Sequence, residues 1–166
     1  MSPETGNPEN DEVSHFTALC HKAEESALKL IARAEQNSFG LAAKLEKKGF
    51  QPAVIKTVIS GLLDRDLLND ERYASLWLRS RLKKKAQSPK TLLTSLRKRG
   101  IDRHSSKKAL EEILDADTEY ALLLKYIEAP ENSKLAGKGD KFYRLRLQLK
   151  YERFSVESID RYFDAF

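Results

Sequence analysis

The chain has 166 residues, 40% hydrophobic and 33% charged, with a formal net charge of +5. That length fits one ordinary domain or a short array of small repeats. Seven Gly and five Pro are too few for a turn-rich β-sandwich or a collagen-like chain, and no run reaches the roughly 18 apolar residues of a membrane span. The single cysteine, Cys20, has no intrachain disulfide partner, so a reduced compartment, the cytoplasm, is the expectation.

The first 22 residues hold one Lys against four acids and begin with the polar stretch "MSPETGNPENDEVSH". They lack the basic start and apolar core of a secretory signal, and the expectation is a disordered polar tail over 1–22. After it the sequence repeats. "LAAKLEKKGFQPAVIKTVI" at 41–59 aligns without gaps on "LLTSLRKRGIDRHSSKKAL" at 92–110, and more weakly on "LRLQLKYERFSVESIDRYF" at 145–163. Three three-helix repeats follow: 23–68, a basic one at 69–115, and 116–166 with a loop insertion at 130–139.

In the first repeat "AEESALKLIARAE" carries Ala27, Leu30, Ile31 and Ala34 at helical spacing. Leu41 and Leu45 lie on one side of a second helix, which Gly49 ends in a left-handed cap, with Phe50 as the apolar anchor. Pro52 then starts a third helix with apolar positions Val54, Ile55, Val58, Ile59, Leu62 and Leu63. Gly61 inside it costs about 1 kcal/mol relative to Ala, and a close helix contact is the expected reason.

The second repeat opens with Asn69 as the expected cap of "DERYASLWLRSRLKKK". Ser88 and Pro89 read as N-cap and first residue of the next helix, and Leu92 and Leu96 face inward. Asp117 is expected to cap the third repeat's "TEYALLLKYIEA", which Pro130 closes. No window is read as a period-two alternation long enough to claim a strand. The fold class is therefore all-α: three tandem three-helix repeats, each too small to stand alone, forming an elongated, curved array.

Charge concentrates in the middle repeat, where 69–115 hold thirteen basic and six acidic residues. Between Arg72 and Lys108 the only acid is Asp102. At about 100° per residue, Tyr73 and Trp77 share an inward face while Arg72, Arg79 and Lys83 form a stripe opposite. Lys90 and Arg97 point outward from the next helix. Arg81, Lys84, Lys85, Lys98 and Arg99 cluster near the helix ends. Solvated helix faces normally mix signs, so these ten residues are the candidate face for nucleic acid or an acidic partner. Aromatic side chains of the kind that stack on bases are not interleaved with them in the sequence.

Catalytic groupings are absent from the sequence pattern. His15, His21 and His104 are scattered, no Cys pair or HExxH supplies a metal site, and no GxxxxGK[ST] loop is present. "LAGKGDK" at 135–141 lacks that spacing. The chain is expected to be neither an enzyme nor a cofactor binder.

Together these residues resemble the RecX family, the bacterial regulators of the RecA recombinase. "LLNDERYASLWLRSR" at 67–81 is close to the family's Leu-Leu-Asp-Asp-Glu-Arg-Phe-Ala pattern followed by Arg-Ser-Arg. "KLEKKGF" at 44–50, "SLRKRGI" at 95–101 and "RFSVESID" at 153–160 are similar to its repeated turn and closing segment. The likeness spans about 23–166, with Asn69 in place of the usual Asp, no glycine before Pro89, and Arg153 in place of the third turn glycine. It implies a regulator, expected to be monomeric, that binds RecA filaments on DNA and opposes filament growth, strand exchange and DNA-dependent ATP hydrolysis. Weak single- or double-stranded DNA binding is compatible with that, and an autonomous DNA-binding protein with helix-turn-helix-like units is the alternative.

Overall fold

The structure, a computed structural model, describes residues 8–132 and 140–165. Among them lie nine helices: α1 (Pro8–Ile31), α2 (Ser38–Lys47), α3 (Pro52–Asp64), α4 (Asp70–Lys84), α5 (Pro89–Arg97), α6 (Arg103–Ile113), α7 (Ala116–Glu128), α8 (Asp140–Tyr151) and α9 (Val156–Phe163). The described residues hold no strand. Two compact units divide after Asp70.

In the first unit α1 packs on α2 and α3. Ala23 and Ala27 are buried on α1 and meet Leu41, Leu45, Val54, Ile55, Val58, Leu62 and Leu68 in one core. Such small residues let the helices approach closely, and each buried Leu or Ile contributes about 1.5–3 kcal/mol. Asn37 caps α2, accepting the Gly40 N–H at 2.6 Å. Asp70 accepts the Ser38 N–H at 2.7 Å, tying the far end of the unit to the same helix start.

Helix α1 begins at Pro8, so residues 8–22 are helical rather than the disordered tail that composition suggests; 1–7 lie outside the described residues. The physical reason is a short apolar contact at its inner end. Leu19 and Cys20 pack against the core one turn ahead of Ala23, and proline at a first helical turn sacrifices no hydrogen bond.

The second unit gathers α4 to α9 around one core that includes Leu78, Leu92, Leu96, Ile101, Leu123, Leu145, Leu149, Phe154 and Ile159. Ser88 caps α5, accepting the Thr91 N–H at 3.2 Å. It is also bonded to Glu152, whose backbone carbonyl accepts the Lys90 N–H at 3.1 Å. These bonds fix the start of α5 against the turn between α8 and α9. The cap of α7 is Asp115, which accepts the Thr118 N–H at 2.7 Å, and not Asp117. Asp117 falls inside the first turn of the helix and pairs with Arg161 at 2.8 Å.

The repeated turn is built the same way three times. Phe50, Ile101 and Phe154 each donate a backbone N–H to the carbonyl five residues earlier, of Leu45, Leu96 and Leu149, at 3.3, 3.2 and 3.1 Å. The residue before each lies in the left-handed region: Gly49 at φ 89°, Gly100 at φ 80° and Arg153 at φ 65°. Arg153 thus keeps the turn geometry without the glycine. Gly61 has no close neighbour, contrary to expectation. A Cβ there would meet only an Arg65 side-chain nitrogen, at 4.0 Å.

Candidate functional site

The ten predicted cations are not equivalent. Arg79, Lys83, Lys84, Lys85, Arg97, Lys98 and Arg99 are exposed to solvent, while Arg72, Arg81 and Lys90 are half-buried. Arg79 pairs with Glu112 at 3.4 Å and Lys85 with Glu131 at 3.0 Å. Arg81 donates to Gln87 at 2.6 Å, and the Arg99 guanidinium lies 4.6 Å from the centre of the Trp77 ring. Lys108 on α6 reaches Glu71 on α4 at 2.6 Å, and this bond raises its pKa. One acid of α6, Glu112, therefore enters the α4 stripe. Exposed pairs like these contribute about 0–1 kcal/mol to stability, but they lower the local field.

Lys83, Lys84, Arg97 and Lys98 remain without an acidic partner among the described residues. Arg97 and Lys90 line a cleft of about 680 Å³ formed by α5, α6, the start of α7 and the α8–α9 turn. Three further cations, Arg103, Lys107 and Arg153, enter it. The first two belong to the basic run, and their i, i+4 spacing on α6 places them on one face, a signal that wheel arithmetic on α4 and α5 alone does not reach. Arg153 comes from the third repeat, and only the tertiary fold brings it here.

Two carboxylates also line the cleft. Glu111 lies 3.3 Å from Lys107. Glu119 is engaged by the Ser155 hydroxyl, by the Ser155 N–H at 3.1 Å and by the Ser158 hydroxyl at 2.9 Å. Ser106 lines the cleft at 3% exposure, and its Oγ has no hydrogen-bond partner. Beside the cleft, the Lys90 ammonium sits 3.1 Å from the centre of the Tyr151 ring, and Tyr151 is 65% exposed. An aromatic does accompany the charge, then. It is invisible in the linear order because it is contributed from sixty-one residues further along the chain.

Among the described residues no group of three or more His, Cys, Asp or Glu is placed to hold a metal ion. No helix among them is long and apolar enough to cross a membrane. His104 is exposed at the start of α6, its N–H donated to the cap Asp102 at 2.8 Å.

Fold and surface together define an all-α protein of three-helix groups that presents a basic, partly uncompensated face. Residues 69–110 match the family model for "RecX, second three-helix domain". The "Regulatory protein RecX" of Treponema pallidum is 32% identical over 146 residues, covering 88% of this chain and 86% of that one. Its counterpart in Halorhodospira halophila is 33% identical over 89 residues, 54% of this chain and 55% of that one. The crystal structure of RecX from Lactobacillus salivarius superposes with a TM-score of 0.66 at 22% identity, over 90% of this chain and 97% of that one. The chain belongs to the RecX family of regulatory proteins.

Proposed function

We propose that this protein is a non-enzymatic cytoplasmic regulator, acting as a monomer, that binds RecA-type recombinase filaments on DNA. It restrains filament growth, strand exchange and DNA-dependent ATP hydrolysis, and so modulates recombination and DNA repair. Membership in the RecX family supports this reading. The observation that carries it further is the set of outward cations without acidic partners, Lys83, Lys84, Arg97 and Lys98, on α4 and at the end of α5. A surface of that kind suits a filament that offers both phosphate and acidic protein side chains. Arg72, Arg79, Arg81, Lys85, Lys90 and Arg99 extend the proposed contact face.

The test is ATP hydrolysis by the cognate recombinase on single-stranded DNA while this protein is titrated in. A fall at substoichiometric protein is expected. Arg79→Glu with Lys83→Glu should remove the inhibition with helicity unchanged. Full inhibition by that double variant would discard the proposed face, and no inhibition by the folded wild-type chain would discard the filament reading itself.

A further inference from the structure

We propose that the cleft of the second unit binds the phosphodiester backbone of single-stranded nucleic acid, with Arg97, Arg103, Lys107 and Arg153 contacting phosphate and Ser106 donating a hydrogen bond. This extends the filament reading by naming what the inner part of the basic surface holds, and its test contains no recombinase. Five cations face two carboxylates in the cleft, and both carboxylates are already engaged, one by Lys107 and the other by Ser155 and Ser158. The guanidinium groups of Arg97, Arg103 and Arg153 have no acidic partner among the described residues. Arginine's planar fork matches phosphate oxygens two at a time.

Two details go beyond a general basic surface. Ser106 is buried at the cleft with an unpartnered Oγ, and a phosphate oxygen supplies the acceptor that the protein does not. Arg153 occupies the left-handed turn position that glycine fills in both other repeats. An arginine held in that conformation at the cleft is a local cost set against a contact only a cation makes. Nucleic acid is favoured over an acidic protein segment by Tyr151. It is two-thirds exposed and touches Lys90, a cleft residue, so a base next to the bound phosphate has a ring to stack on. A carboxylate-bearing peptide draws no benefit from that ring.

The experiment is fluorescence anisotropy of the full chain with a labelled deoxythymidine oligomer of about 20 nucleotides, across a salt series. Arg97→Gln with Arg103→Gln should weaken binding about tenfold or more and lower the log–log salt slope by about 1.4, roughly 0.7 for each phosphate no longer neutralised. Tyr151→Ala should weaken binding with the slope unchanged. Lys47→Gln with Lys48→Gln removes the same charge from exposed positions on the α2 end, and should leave affinity within about twofold. An equal weakening in that control would reduce the effect to diffuse attraction and overturn the cleft. So would competition by polyglutamate as effective as by unlabelled oligomer at matched charge, which would make the site one for carboxylates. Circular dichroism confirms that each variant is folded, and a folded cleft variant binding like wild type overturns the proposal. The recombinase assay, with its α4 variants, reports separately on the filament reading.

Discussion

At the scale of single residues, two backbone positions show local preference giving way to something else. Arg153 sits at φ 65°, a conformation that costs an L-residue with a side chain roughly 1–2 kcal/mol. Arg153→Gly is expected to raise stability by about 1 kcal/mol or slightly less, since glycine also gains freedom in the unfolded chain. If the cleft holds phosphate, the same substitution weakens oligonucleotide binding, so urea unfolding and anisotropy on one variant should move in opposite directions. Gly61 is the converse case. It lies within α3, and a Cβ there meets nothing closer than 4.0 Å. Gly61→Ala should therefore stabilise the first unit by about 0.5–1 kcal/mol, measured as a rise in urea midpoint at constant slope. A destabilised variant would mean that α3 needs a closeness there that the structure does not contain.

At the scale of the element, capping aspartates contribute to acid stability. Asp102 accepts N–H bonds from Ser105 and His104, and bonding with Ser105 first and foremost lowers its pKa. Asp115 is lowered chiefly by the Thr118 N–H. A carboxyl whose folded pKa is depressed contributes stability that is present above its unfolded value, about 3.9 for Asp, and is lost as pH falls through the folded one. Tm should accordingly decline below about pH 4. Asp102→Asn, which keeps a capping acceptor but cannot titrate, should show a shallower decline with Tm near neutrality almost unchanged. An identical acid profile in the variant would remove Asp102 from the account.

The elements also show what the sequence could and could not disclose. Leucine spacing, the Gly-aromatic turn and the Ser88-Pro89 start are legible because each is a local rule with a local signature. The cap of α7 falls two residues from its expected place because Asp115 and Asp117 are chemically equal and only the observed helix start separates them. The length of α1 is hidden because its first two turns carry little apolar periodicity, and the core contacts of Leu19 and Cys20 exist only once α2 and α3 are in place. The cleft is hidden for a related reason. Arg153 and Tyr151 reach α5 through bonds between Glu152 and residues 88 and 90, a juxtaposition that no window of sequence contains.

At the scale of the whole molecule, the division of buried residues predicts how the chain comes apart. The core of α1 to α3 and the core of α4 to α9 have no residue in common. Leu45 and Leu149 occupy the same position of the repeated turn, each fully buried and each accepting the anchor's N–H. Truncating either to Ala should cost about 2–5 kcal/mol, but in different places. With separate cores, Leu45→Ala is expected to raise amide exchange throughout α2 and α3 while protection in α5 and α9 is retained, and Leu149→Ala should do the reverse. Because α4 to α9 share one core, Leu149→Ala should loosen α5 as well as α8, although Leu149 lies outside the middle repeat in sequence. Loss of protection confined to α7, α8 and α9 would show instead that the third repeat opens alone. The cleft that Arg153 completes would then be lost in that opening while the α4 cations stayed in place, so the same exchange map bears on whether oligonucleotide binding can fail while recombinase inhibition persists.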